Sequence, residues 1–211
     1  MSCQKGLFLD LDGTLADSLD VMYRVYCDVL DEYQCQGSVE EFDMLNGPPL
    51  SVVAQRLIEI HHLTISEQDL LTRYWQLIFR QYEHVQPNPG AVTLLKSVHK
   101  QGYKIGVVSS SSKHLIQSWL HTHNLLNWID CTVGGDSVSP GKPNPAPYLH
   151  ALKITGCDAV LSWAVEDSRS GAQSALSAGL QTAILAADPA QLWPDGVCFI
   201  TQLDDLLKVL S

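Results

Sequence analysis

The sequence predicts a doubly wound α/β domain with a helical segment inserted after its first strand. From residue 86 onward, apolar runs of strand length alternate with amphipathic runs of helix length, the pattern of a parallel sheet covered on both faces. Between the first apolar run and that region, residues 17–85 carry helical periodicity alone. The chain has 211 residues and is 45% hydrophobic, enough for a sizeable core plus a smaller insertion.

Taken in order, KGLFLDLDGT (5–14) is a short apolar run that passes into acids and glycine, a buried strand entering a loop. After Ser18, Val21, Met22, Val25, Val29 and Leu30 share one helical face. Ser38 with Glu41 forms a capping-box pattern for a second, short helix. Asn46-Gly47-Pro48-Pro49 marks a turn, and Leu50–Ile60 and Leu70–Tyr82 read as two further helices. The segment VQPNPG (85–90) is a junction. Beyond it, helical runs at 90–102, 113–124, 144–155 and 171–179 precede strands YKIGVVS (103–109), IDCTVGG (129–135), AVLSWAV (159–165) and QTAILAA (181–187). The expected division is a core of residues 1–16 and 86–211 and a helical cap of 17–85.

The formal net charge is -10 and the pI about 5.1. That balance argues against nucleic acid or an anionic membrane surface as a partner, since both need basic patches. No stretch approaches the ~20 apolar residues that span a bilayer. The run Gly6–Leu11 is too short, and too broken by acid, for a secretory signal. The cysteines Cys3, Cys27, Cys35, Cys131, Cys157 and Cys198 form no Cys-x-x-Cys pair, so reduced thiols in a cytoplasmic protein are expected. A monomer or homodimer fits these bounds equally.

Ligands of open α/β sheets bind beyond the carboxyl ends of the strands. The polar residues at those ends are Asp10 and Asp12, Ser109, the loop reaching Lys142, and Glu166-Asp167. Each has an ordinary reading as a turn, cap or solvated residue. Together they make a phosphoryl-transfer kit, which needs a nucleophile, neutralised phosphoryl oxygens and proton management at the leaving group. Asp10 is placed to attack phosphorus, and Asp12, two residues on, lies on the same side of an extended chain. Asp12 can protonate the leaving alkoxide and later activate water. Lys142, Ser109 and the Ser110 amide after it can bind the phosphoryl oxygens. Mg²⁺, which prefers oxygen ligands, would take Asp10, a backbone carbonyl near Asp12, and Asp167. The histidines have no metal-site spacing and read as surface or core residues. The insertion's aromatics read mostly as its own core, with Trp75 open between pocket and dimer interface.

These motifs resemble the haloacid dehalogenase superfamily, in the branch of phosphoglycolate phosphatases and β-phosphoglucomutases. They are DLDGTLADS (10–18), the serine ending KIGVVS (104–109), GKPNP (141–145) and VEDSRSGAQSALSAG (165–179), with VGGD (133–136) and PNPG (87–90) as punctuation. The resemblance implies Asp10 as nucleophile, Asp12 as general acid/base, Ser109 and Lys142 as phosphoryl holders, and Asp167 as the Mg²⁺ ligand. Glu166 would ligate directly or through water. It also implies a cap that hinges near Ala16–Ser18 and Val85–Asn88, and a specificity loop at Asn46–Leu50.

Within that family, Asp12 and the Glu166-Asp167 pair speak against a dehalogenase. The insertion has no lysine, only Arg24, Arg56, Arg73 and Arg80, which speaks against a Schiff-base hydrolase. A mutase of the β-phosphoglucomutase type is the alternative. It would place a histidine where Met22 stands and an arginine near Pro48-Pro49-Leu50. A receiver domain would carry its phosphorylated aspartate on a middle strand, and a non-catalytic relative would lose Asp10 or Lys142. Ala146 departs from the family's aspartate, a loss expected to remove a helix cap at about 1 kcal/mol. The expected substrate is a small phosphate ester, with phosphoglycolate, sugar phosphates and nucleoside monophosphates as candidates.

Overall fold

The computed structural model describes residues 4–45, 47–185 and 192–210. Strand β1 (Gly6–Leu9) is followed by helices α1 (Leu19–Asp31), α2 (Val39–Leu45), α3 (Leu50–His61) and α4 (Glu67–Tyr82). There follow α5 (Ala91–Lys100), β2 (Lys104–Val108), α6 (Lys113–Thr122), β3 (Cys131–Val133), α7 (Ala146–Thr155), β4 (Trp163–Glu166), α8 (Arg169–Ser177), β5 (Gln181–Leu185), β6 (Val197–Ile200) and α9 (Leu206–Leu210). The six strands form one sheet in the order β3-β2-β1-β4-β5-β6, every neighbouring pair parallel.

Side-chain alternation sets which layer each strand residue joins. Leu7 and Leu9 enter the larger apolar cluster together with Ile105, Val107 and Val165, and Phe8 enters the cluster on the opposite face with Val108, Val133 and Ala164. Both faces are covered, which is why these strands read as continuous apolar runs. The order has one decisive consequence. β1 lies between β2 and β4, so the chain leaves the sheet at Asp10, Ser109 and Glu166 from three adjacent strands.

The run 159–165 is only partly a strand. Asp158 accepts the Val160 N–H at 3.0 Å and turns Ala159–Leu161 into a 3-10 segment, leaving Val160 71% exposed. The strand begins at Trp163 because that local cap outcompetes the apolar pattern. β6 and α9 lie beyond the elements expected from sequence; β6 is an edge strand, half exposed and lacking clean alternation. The last two residues of the expected strand 181–187 lie outside the described residues.

In the helical insertion, Val25, Tyr26, Val29 and Leu30 of α1 and Leu70, Tyr74, Leu77 and Ile78 of α4 are buried, at three- and four-residue spacing. The capping box at α2 is half formed. Ser38 accepts the Glu41 N–H at 3.1 Å, but the Glu41 carboxylate turns away to Tyr26 (2.7 Å) and His61 (2.9 Å). Tyr26 replaces it, its hydroxyl accepting the Ser38 N–H at 3.1 Å. The two connections between insertion and sheet run side by side. Ala16 bridges Pro87, Asp17 N–H donates to the Gln86 carbonyl at 2.8 Å, and the Asn88 amide donates to the Thr14 carbonyl at 2.7 Å.

Among the described residues Cys27, Cys35, Cys131, Cys157 and Cys198 are free thiols. No described helix is long and apolar enough to cross a membrane.

Candidate active site

The residues that leave the sheet at its carboxyl edge converge on one point. Asp10 is 6% exposed, and its backbone N–H still bonds to the Val165 carbonyl at 3.0 Å. Its carboxylate Oδ1 accepts a hydrogen bond from Lys142 Nζ at 2.6 Å. The same ammonium donates to Glu166 Oε1 at 2.5 Å and to the Val108 carbonyl at 2.9 Å. Lys142 is 4% exposed and Glu166 fully buried, so this is a desolvated carboxylate–ammonium–carboxylate array. Tyr148, on α7, donates to the same Glu166 oxygen.

Charge is unevenly distributed here. Burial pushes the Asp10 carboxyl well above the usual carboxylate range; Lys142 opposes this, while Glu166, Asp167 and Asp12 add to it. For Lys142, burial favours the neutral amine, but Asp10 and Glu166 outweigh it and hold the ammonium charged. Oxygen atoms of Asp10, Glu166 and Asp167 lie within 4.8 Å of one another. The three carboxylates make an oxygen-only donor set of the kind that suits a hard divalent cation such as Mg²⁺. The Asp12 carboxylate stands outside that set. The sequence expects a backbone carbonyl, and not this carboxylate, as the donor near Asp12.

Asp12 is held from both sides. Its Oδ1 accepts from Tyr82 Oη at 2.6 Å and Ser18 Oγ at 3.0 Å, and its Oδ2 from Ser111 Oγ at 2.7 Å. Burial first, then the Asp12 charge, hold the Tyr82 phenol well above its ordinary range, so it stays a donor. Ser18 closes the DLDGTLADS motif, whereas Tyr82 and Ser111 are not signalled as partners by the sequence. Tyr82 stands 70 residues from Asp12, at the last position of α4.

The serine run divides its tasks. Ser109, 4% exposed, accepts the Ser111 N–H at 3.0 Å. Ser110 donates to the Gly47 carbonyl at 2.8 Å and so ties the insertion to the sheet edge. Ser112, not Ser109, caps α6 by accepting the Leu115 N–H at 3.3 Å. Ser168 caps α8 by accepting the Gly171 N–H at 3.1 Å, so Glu166-Asp167 sits immediately before a helix start. Ala146 is the first residue of α7 and Asn144 accepts its N–H at 3.0 Å. The expected loss of a cap is therefore offset two residues upstream.

Asp10, Asp12, Ser109, Ser110, Ser111, Lys142, Asp167 and Ser168 open into one cavity, continuous with solvent, that also reaches Met22, Phe42, Leu50 and Trp75 of the insertion. Trp75 is thus a wall residue. Asn46 lies outside the described residues, while Gly47, Pro48 and Leu50 of the same turn line the cavity.

Residues 7–185 match the family described as haloacid dehalogenase-like hydrolases. The chain belongs to that family. A bifunctional riboflavin kinase/FMN phosphatase of Arabidopsis thaliana is 27% identical over 88% of this chain, which spans only 49% of that protein. The fructose-1-phosphate phosphatase YqaB of Escherichia coli is 28% identical, covering 83% of this chain and 93% of its own length. Among solved structures, CbbY of Rhodobacter sphaeroides in complex with xylulose-(1,5)-bisphosphate superposes with a TM-score of 0.82 at 17% identity, covering 95% of this chain and 94% of its own. That likeness shows a shared fold.

In this dehalogenase-like hydrolase the Tyr82–Asp12 bond joins the insertion to the sheet edge, which makes it testable. Tyr82→Phe should lower kcat roughly tenfold, because one hydrogen bond to a carboxylate is worth about 1.5–3 kcal/mol and Ser18 and Ser111 still orient Asp12. KM should change less than kcat. Equal losses in both, or none, would mean that Tyr82 does not position Asp12. Steady-state kinetics on the substrate with highest turnover decides it.

Proposed function

We propose that this hydrolase is a Mg²⁺-dependent phosphatase that cleaves a small phosphorylated metabolite through an aspartyl-phosphate on Asp10. The observation that carries this reading is the buried Asp10–Lys142–Glu166 array at 2.6 and 2.5 Å, with a second aspartate two residues on held by three hydroxyl donors in the same cavity. The names of the relatives, phosphatases of FMN and of fructose 1-phosphate, support it.

In the first half-reaction an Asp10 carboxylate oxygen attacks phosphorus and the ester P–O bond breaks. The departing alkoxide takes the proton of Asp12. In the second half, Asp12, now a carboxylate, takes a proton from water. The water oxygen attacks the acyl-phosphate, inorganic phosphate leaves, and Asp10 is regenerated. Ser109 and the Ser110 amide hold the equatorial oxygens, and Lys142 turns to them one of the three N–H donors that now serve Asp10, Glu166 and the Val108 carbonyl. Asp10, Glu166 and Asp167 would hold Mg²⁺, which when bound supplies Lewis-acid stabilisation and relieves the repulsion between carboxylate and phosphate. Residues 17–85 act as the cap, hinged at the paired connections near Ala16–Ser18 and Val85–Asn88.

The alternative is a phosphomutase of the β-phosphoglucomutase type. Met22 lines the cavity and, at the position where such an enzyme is expected to place a histidine, supplies no proton donor or acceptor. Hydrolysis is therefore favoured.

The test is inorganic phosphate release from a panel of small esters with and without Mg²⁺. Chelation with EDTA should reduce release roughly 100-fold or more, and Mg²⁺ should restore it, since the ion is worth several kcal/mol at the transition state. Release unaffected by chelation would overturn the metal assignment. No release from any ester, by folded protein with Mg²⁺ present, would overturn the phosphatase; interconversion of hexose 1-phosphates would then identify the mutase.

A further inference from the structure

We infer that the ester accepted by this site has an uncharged, apolar or aromatic alcohol portion; the inference rests on the phosphatase reading and names its substrate class. The cavity has two unlike walls. On the sheet side its lining is polar, formed by Asp10, Asp12, the Ser109–Ser111 run, Lys142, Asp167 and Ser168. On the insertion side every described lining residue is uncharged, and nearly all are apolar or aromatic, among them Met22, Phe42, Leu50, Tyr74, Trp75 and Ile78.

The phosphoryl group belongs to the sheet wall, so the alcohol portion must face the other. Among the described lining residues Lys142 is the one cation, and Asp10 and Glu166 already hold it. The insertion's own cations are elsewhere. Arg24, Arg56 and Arg80 are exposed away from the lining, and Arg73 is held by Glu32, Nε to Oε1 at 2.8 Å. His61 is engaged by Glu41 at 2.9 Å. The Tyr26 hydroxyl, though in the wall, donates to Glu41 at 2.7 Å and accepts the Ser38 N–H at 3.1 Å, so it has little left for a ligand.

A carboxylate or second phosphate on the alcohol portion would lose hydration against this wall and meet no cation among its described residues. A polyol would leave several hydroxyls without partners. An apolar chain or ring loses nothing polar and gains the contact of Phe42, Trp75 and Tyr74, whose rings favour stacked or edge-on partners.

The experiment compares kcat/KM for benzyl phosphate, 2-phenylethyl phosphate and hexyl phosphate with that for phosphoglycolate, 6-phosphogluconate and fructose 1-phosphate, all with Mg²⁺. The apolar esters should be favoured roughly 100-fold, chiefly through KM. Trp75→Ala should narrow that preference about tenfold, and Met22→Lys should shift it towards phosphoglycolate. If phosphate is released in an Asp10-dependent manner but the carboxylated or polyol esters are preferred, this inference falls and the phosphatase stands. If no ester is hydrolysed, the phosphatase reading falls, and calorimetry of the Asp10→Asn protein with Mg²⁺ decides the ligand class. Tighter binding of 2-phenylethyl phosphate than of phosphoglycolate supports the inference; equal or weaker binding overturns it.

Discussion

Asp10→Asn should lower phosphate release by about 10⁴-fold or more while leaving the protein folded. Loss of a nucleophile removes the covalent route itself, and effects of that kind reach roughly six orders of magnitude in well-studied hydrolases. The carboxamide has no charge to attack phosphorus, yet its carbonyl oxygen can still accept the Lys142 hydrogen bond now made at 2.6 Å. Lys142 keeps Glu166 as its counter-ion at 2.5 Å. The buried charge that disappears is one that desolvation and the neighbouring acids disfavour, so the thermal midpoint should stay level or rise. Activity above about 1% of the original in this variant would remove Asp10 from the chemistry. A collapse of the thermal midpoint would instead make Asp10 a structural ion.

The second large effect is on stability as well as rate. Lys142→Met deletes an ammonium that is 4% exposed and leaves Asp10 and Glu166 buried side by side without their shared cation. Removing one member of a buried ionic array costs about 3–5 kcal/mol. For a chain of this size that lowers the thermal midpoint by about 10 °C. Phosphate release should fall roughly 100- to 1,000-fold for want of a donor to the phosphoryl oxygens. The double variant Lys142→Met/Glu166→Gln should regain part of the stability, because it removes one of the two stranded charges, and none of the activity. Tyr148 would still find an acceptor in that background, since the carboxamide replacing the Glu166 carboxylate keeps a carbonyl oxygen. A single variant as stable as the parent would show that Asp10 and Glu166 find their neutralisation elsewhere.

The two variants separate what Lys142 does from what Asp10 does. Asp10 should be dispensable for packing because its loss relieves charge. Lys142 should be required for it because its loss leaves two buried charges without their cation. Sequence marks both as phosphoryl-transfer residues and gives no sign that one lysine is also the counter-ion holding three elements together: the end of β1, the end of β4 and, through the Val108 carbonyl, the end of β2.

Much of the candidate site is legible before any coordinates. Asp10, Ser109 and Glu166-Asp167 follow directly on apolar runs, and in a parallel sheet such positions must share one edge. Adjacent strands then bring Asp10 beside Glu166-Asp167 without help from side-chain detail, whereas Lys142 reaches them from the long loop after β3, two strands away from β1. The helical insertion is legible for a similar reason, because the 3.6-residue period survives in α1 and α4.

What sequence could not supply depends on how helices rotate and dock. Tyr82 and Tyr74 share the same helix and the same periodic face, and periodicity assigns both to a core. Only the packing of α4 against α1 and α3 brings Tyr82, at its end, to Asp12, and puts Tyr74 and Trp75 in the cavity wall. Ser111 reaches Asp12 across 99 residues, a contact that no local rule encodes. Capping within the serine run is hidden for the same kind of reason. Ser109 to Ser112 are chemically alike, and the position at which α6 starts decides which one caps. Residue order and period carry chain direction, layer and edge. The partner of each hydroxyl and the polarity of the wall facing the phosphate depend on packing between elements far apart in sequence, where a small rotation exchanges one side chain for another.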